Sequence, residues 1–504
     1  MRPAAAQRRI RMQRSAGVLM PVSSLPSKYG IGTLGKEAYK FADFLKEAGQ
    51  KYWQMLPLVP GGPGNSPYSS FSTFAGNPFF IDLDLLIEDG LLDRKYVESF
   101  DWGADPENVD YDKIQANRRE VLYAAYQKGW ERDKEEVHAF RSRNAWAEDY
   151  AFYRALKVYF HHAPWTEWDE DIKRREPAAM EKYKDLVRDN YQFYSYVQYL
   201  FFTQWEALRK YVHDCGILLI GDMPFYVALD SADVWKEPQF FQLGEDCKPT
   251  DVAGVPPDYF SEDGQLWGNP LYAWDAMRRD GWGWWIRRVE GASKLYDVIR
   301  IDHFRAFASY WSVPADESTA KNGQWKKAPG MDIVGTLCNW FYGINFIAED
   351  LGILTPDVED LIRESGIPGM NVLQFAFSPD CSSRYLPHSV LKNSIMYVGT
   401  HDNDTTMGWL NNPKITPEEK QLAHEYLGLS DSEPWNIGVI RGGMVSPSDL
   451  FICQMQDWLG LGTEARMNTP GTPEGNWTWR MKKGADSQKL AEKMRRNTRI
   501  FGRG

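Results

Sequence analysis

Four stretches of this chain place carboxylates where an apolar run ends. Leu295–Phe307 reads LYDVIRIDHFRAF, so Arg300, Asp302, His303 and Arg305 crowd the end of a strand-like run. Gly216–Phe225 (GILLIGDMPF) carries Asp222, Asn345–Gly352 (NFIAEDLG) carries Glu349 and Asp350, and Ser394–Asn403 (SIMYVGTHDN) carries His401 and Asp402, with Asp404 just beyond. Charged side chains are almost never fully buried without a partner. Several carboxylates brought to one place would serve either a metal ion or glycoside chemistry.

Spacing narrows these roles. Arg300 and Asp302 are two apart and share one face of a strand. A neighbouring guanidinium lowers a carboxylate's pKa and keeps it ionised, which suits a nucleophile. A general acid must instead stay protonated near neutral pH, which burial can achieve. Glu349 and Asp350 are both candidates; Glu349 has the longer reach, and Asp350 also suits a helix cap or turn. His401 beside Asp402 admits a metal-binding reading. However, His138, His161, His162 and His424 fall in expected helices, leaving no histidine-rich ligand set. Two carboxylates plus a third, with His and Arg donors around them, are closer to a glycosidase mouth than to a zinc centre. Retaining glycosidases hold their two carboxyl groups about 5–5.5 Å apart, a spacing that the ends of neighbouring fourth and fifth strands could meet.

Positioning these groups requires strand ends that face one way. Eight short apolar runs bounded by turn residues are expected strands: Gly17–Pro26, Lys51–Leu58, Gly216–Phe225, Tyr296–Phe304, Asn345–Gly352, Met370–Phe377, Ser394–Asn403 and Glu464–Thr472, the last with the weakest pattern. Helical patterns lie between several of them. GKEAYKFADFLKEAG ends at a capping Gly49, and TPDVEDLIRESG opens with Thr355 and Pro356. Alternating strands and helices argue a parallel sheet, and eight repeats argue an α/β fold of the (β/α)8 TIM barrel type, whose function gathers at the C-terminal strand ends. Within a catalytic barrel spanning residues 16–504, residues about 85–200 read as a helical insertion. Residues about 226–275, rich in aromatics and Pro, read as a loop insertion over the mouth. The tail after about residue 480 reads as one closing helix, too short for a C-terminal β-sandwich domain.

The net charge of −11 argues against nucleic acid as the main partner. Cys215, Cys247, Cys338, Cys381 and Cys453 are scattered, odd in number and form no CxxC pair, so reduced thiols are expected rather than disulfides or zinc. No apolar run is long enough to span a membrane. Residues 1–15 read as a disordered leader, with Met12 a possible natural start. The expected location is cytoplasmic, with a plastid as the alternative if this basic leader is a transit remnant. No phosphate-cradling glycine loop in the right context is evident, so no cofactor and no metal are implied. The aromatic content (21 Trp, 26 Tyr, 25 Phe) would fill a large core and could also line a groove for sugar rings.

The motifs RIDHFRAF, IAEDLG and GTHDNDT resemble three short regions shared by the α-amylase clan, and GDMPFYV resembles a fourth. SPYSSFSTFAGNPFFIDL, GVPPDYFSEDGQLWGNPLYAW and ARMNTPGTPEGNW are similar to signatures of the 4-α-glucanotransferases, also called amylomaltases or disproportionating enzymes (glycoside hydrolase family 77). The resemblance runs from about Ala16 to the C-terminus. It implies a retaining enzyme acting on α-1,4-glucans such as maltooligosaccharides, starch or glycogen. Asp302 would be the nucleophile, Glu349 the acid/base and Asp402 the third acid. Arg300 and His401 would be supporting donors, and Asp222 would orient groups at the mouth. Tyr68 would stack on the sugar with Ser66 beside it, and Tyr259 and Phe260 would stack from the mouth loop; Trp267 and Asn468 match further site positions. Two departures stand out: Ala306 where the family usually has Gly, and FSPDCSS after the sixth run. An α-glucan hydrolase on the same barrel, or a glucan-binding protein without turnover, are the competing readings.

Overall fold

In the computed structural model, residues 12–504 are described except 258–260, 353, 431 and 473. Eight parallel strands close into a barrel: Ser15–Leu19, Tyr52–Gln54, Leu218–Met223, Val298–Ile301, Asn345–Ala348, Gly369–Val372, Ser394–Tyr397 and Leu450–Gln454. Seven coincide with expected runs. The eighth is Leu450–Gln454 rather than Glu464–Thr472. The latter offers two apolar side chains, Ala465 and Met467, before Pro470 and Gly471, and forms a short turn (Thr463–Ala465) followed by irregular chain. LFICQ is buried throughout and pairs with both the first and the seventh strand.

Alternation sorts the strand residues. Leu19, Ile220, Val298, Ile347, Met370, Val372, Ile395, Tyr397, Leu450 and Ile452 pack together inside the barrel, whereas Val18, Leu219, Ile299 and Ala348 belong to the layer between strands and helices. Counting in twos from Ile220, Val298 and Ile347 puts Asp222, Arg300, Asp302 and Glu349 on the inward side at the C-terminal end, and Asp350 on the other. The register aligns them: Asp222 pairs with Arg300, and Ile301 pairs with Ala348, so Asp302 and Glu349 emerge side by side.

Between the second and third strands lie the long helices Tyr111–Arg143, Ala145–Tyr159 and Arg188–Asp214, the last feeding directly into the third strand. The segment read as a mouth loop contains two strands, Asp251–Val255 and Gln265–Pro270. With Ser309–Pro314 and Gln324–Lys327 they form an antiparallel sheet beside the mouth. Its strands are too short and glycine-broken for periodicity to reveal.

Gly221 carries the third strand past a packed aromatic. A Cβ there would lie 2.0 Å from the ring of the buried Tyr296. Gly221→Ala is therefore expected to destabilise the barrel by about 1–3 kcal/mol through overpacking, read as a lowered denaturant midpoint with an unchanged slope.

Candidate active site

The acids converge through a buried arginine. Arg300, 2% exposed, reaches Asp222 Oδ1 at 2.5 Å and Asp302 Oδ1 at 3.1 Å through its Nη1, while its Nε faces the Met370 sulfur. Tyr68 donates its hydroxyl to the other Asp222 oxygen at 2.9 Å, and its ring stacks on His401 with centroids 5.1 Å apart. His401 Nε2 faces Asp402 at 3.4 Å, and Asn468 donates to Asp402 Oδ1 at 2.6 Å.

Glu349 is held by two backbone N–H groups, from His303 and Leu351, each at 2.8 Å. Asp350 is turned away and accepts the Met370 N–H at 2.7 Å, so it anchors the start of the sixth strand. The alternative that the sequence left open thus separates by strand parity. His303 has φ +47, in the left-handed region, directly after Asp302. It reverses the chain so that its own N–H reaches Glu349 while the next residue, Phe304, donates to the Glu349 carbonyl.

Electrostatics distinguish the three carboxylates. Burial pushes Glu349 up to about 7: Asp302 adds to the rise, while Arg300 and the two N–H donors oppose it. Burial also raises Asp302, to about 6. Arg300 pulls against it, but the negative charges of Asp222 and Asp402 assist. This reverses the simple sequence expectation that the adjacent guanidinium would hold Asp302 below the usual carboxylate range; desolvation outweighs one ion pair here. Asp402 goes the other way. Burial alone would raise it, yet His401 and Asn468 hold it well below the ordinary range. His401 is raised on balance: burial lowers it, but Asp402 and Asp222 outweigh that. Burial, helped by Arg305, lowers His303 to about 3, leaving a neutral ring near pH 7.

The remaining expected residues divide. Trp267, 38% exposed, lies edge-on to His303 with centroids 4.8 Å apart and so flanks the Glu349 side. Ser66 accepts the Tyr68 N–H at 3.2 Å and shapes the turn behind that ring. Tyr259 and Phe260 lie outside the described residues. Ala306 is buried in the short helix Phe304–Phe307 without a positive φ, so its methyl brings no backbone strain. Sequence reasoning passed over two contributors. Trp477 lies 5.8 Å from the Tyr68 ring, and Arg466 holds the carbonyls of Asp402 and Asn468, each at 2.7 Å. Both stand in the ARMNTPGTPEGNW stretch, which was their available signal. His303, already among the charges at that strand end, gains a part the sequence did not give it, since its backbone N–H holds Glu349. Among the described residues no group of three or more His, Cys, Asp and Glu is arranged to hold a metal ion.

Asn468→Ala should lower kcat/KM by about 10- to 100-fold, the scale of one hydrogen bond to a charged group. Steady-state kinetics with an intact thermal transition would check this.

A (β/α)8 barrel with inward carboxylates at the ends of its third, fourth and fifth strands, and a further acid beyond the seventh, defines a glycoside-processing enzyme. The family model described as 4-alpha-glucanotransferase matches residues 20–486, and the chain belongs to that family. It is 46% identical to a 4-alpha-glucanotransferase of Clostridium butyricum over 96% of this chain and all of that one. It is 45% identical to one from Thermus thermophilus over 96% of this chain and 98% of the other. The solved amylomaltase of Streptococcus agalactiae in complex with acarbose superposes with a TM-score of 0.95 at 40% identity, covering 98% of this chain and 100% of that one.

Proposed function

We propose that the α-1,4-glucan transfer of this family runs here through Asp302, Glu349 and Asp402. Glu349 gives its proton to the leaving glycosidic oxygen as an Asp302 oxygen bonds to C1 and the C1–O bond breaks, releasing a glucan with a free 4-hydroxyl. An acceptor 4-hydroxyl then attacks C1, returns its proton to Glu349 and expels Asp302, so the two inversions retain configuration. Asp402, held ionised, binds sugar hydroxyls and favours the oxocarbenium-like state. Arg300, His401, Asp222 and Asn468 orient it and the donor sugar. Tyr68 and Trp267 supply stacking faces, Ser66 shapes the turn behind Tyr68, and the family resemblance assigns Tyr259 and Phe260 to stacking on the glucan from the mouth loop. The observation that carries the reading is the pairing of Asp302 and Glu349 at adjacent strand ends, with Glu349 raised to about 7.

Transfer must outcompete hydrolysis although water is far more concentrated than sugar. Aromatic faces give the acceptor a high effective molarity, and the sheet beside the mouth limits water. Incubation with maltotriose is expected to yield glucose together with a ladder of longer maltooligosaccharides. Only shorter products would favour a hydrolase, and no products a binding protein. The substrates are maltooligosaccharides, amylose, starch or glycogen, and the five free cysteines are consistent with a reducing compartment such as the cytoplasm.

A further inference from the structure

A cavity of about 640 Å³ lies between the barrel mouth and the long helices that precede the third strand. Among the described residues that line it, the charged side chains are Arg118, Arg119 and Arg154, joined by His162, and none is a carboxylate. This is a one-signed wall in a chain of net charge −11.

The arginines have little counter-charge. Arg118 is fully buried and spends its Nη atoms on the carbonyls of Phe79 and Ile81. Arg119 is exposed and bonds the neutral Asn190 side chain at 2.8 Å. Arg154 lies over the rings of Phe71 and Tyr194, at 4.6 and 5.4 Å, and its Nε has no partner among the described residues. By contrast, Lys157 on the same helix is paired with Asp230 at 2.5 Å. His162 registers the field: burial and then the charges of Arg154, Lys157, Arg119 and His161 push its imidazole below the ordinary value.

Holding guanidinium groups in a recess without carboxylates is unfavourable. An anion that accepts two parallel N–H bonds relieves it, and phosphate fits that fork. The space is far larger than a phosphate ion and lies in the range of small-molecule sites, about 300–1,000 Å³. Its remaining wall has sugar-binding character: the half-buried aromatic side chains of Phe79 and Tyr111, and the amides of Asn65 and Gln115, which bond each other at 2.7 Å. We propose that this cavity binds the phosphate monoester of a hexose, with the phosphate between Arg154 and Arg119 and the ring over the aromatic side chains. The hexose phosphate could be free or part of a phosphate-bearing glucan. Trp477 belongs to the cavity wall and also lies against His401 of the acid cluster, while none of Asp302, Glu349 and Asp402 lines the cavity.

Isothermal titration of the full-length enzyme with glucose 6-phosphate, a phosphorylated maltooligosaccharide, inorganic phosphate and glucose tests this. At least one of the two phosphate esters should bind with one-to-one stoichiometry, at least about tenfold more tightly than phosphate or glucose, because both halves of the ligand find partners. The tighter ester identifies the source. Arg154→Met should weaken that binding by about tenfold or more. The exposed substitution Arg119→Gln should weaken it as well, which covers the case of a poorly folding Arg154 variant. Maltotriose transfer should stay unchanged in both. No binding of either ester, binding no tighter than that of inorganic phosphate, or binding that both variants leave intact would overturn the proposal.

Discussion

Replacing Asp302 by alanine is expected to lower kcat for maltotriose disproportionation by about 10⁴-fold or more, the scale on which loss of a covalent nucleophile acts. That corresponds to about 5.4 kcal/mol of barrier. The fold should survive, because Arg300 keeps its 2.5 Å bond to Asp222 when Asp302 is removed; the substitution therefore leaves no buried guanidinium without a carboxylate. A second readout separates a lost nucleophile from general damage. Azide can enter the space vacated on the β face while Glu349 still protonates the leaving oxygen. The variant should then regain turnover and form a β-glucosyl azide, identifiable by NMR. Turnover near the wild-type rate, or an azide product of the α configuration, would reassign the nucleophile.

The barrel was legible because its strands are short, apolar and bounded by turn residues, and because functional charges mark where several of them end. Where a strand carried no such mark, reading failed. Leu450–Gln454 ends in Gln454 and runs straight into the helix Met455–Leu459, so nothing separated it from a buried helical segment. Glu464–Thr472 has the weakest apolar pattern of the eight expected runs, and as irregular chain it still delivers Asn468 to Asp402. The two strands between Asp251 and Pro270 escaped notice because each is five or six residues long and their pairing shifts register between Val252 and Gly254.

Within the site, period two correctly set Arg300 beside Asp302, but it could not give the balance of energies. Whether a carboxylate rises or falls depends on how much water each group loses and how many like charges face it. Those quantities come from strands far apart in sequence: Asp222, Asp402 and His401 all act on Asp302. The choice between Glu349 and Asp350 was equally non-local. It needed the inward side of the fifth strand, which Ile347 marks inside the barrel and adjacent residues alone do not reveal.

The upward shift that burial gives both Asp302 and Glu349 leads to the second large effect. Asp302 must be ionised to attack, so activity is lost as pH falls through about 6. Glu349 must be protonated to release the leaving glucan, so activity is lost as pH rises through about 7. The pH profile of kcat/KM should therefore be a bell with its maximum between these limits. Glu349→Gln fixes the position as a neutral group that neither donates nor accepts the catalytic proton. It should lower kcat/KM for maltotriose by about 10²- to 10⁴-fold, the usual worth of general acid–base catalysis, and abolish the alkaline limb while leaving the acid limb of Asp302 in place. A donor whose leaving group needs no proton, such as maltosyl fluoride, should recover most of the first half-reaction. Because the variant also lacks the base that activates the acceptor hydroxyl, a burst of fluoride should precede slow turnover. An alkaline limb that persists in the glutamine variant, or equal losses on maltotriose and the fluoride, would show that another group carries the proton.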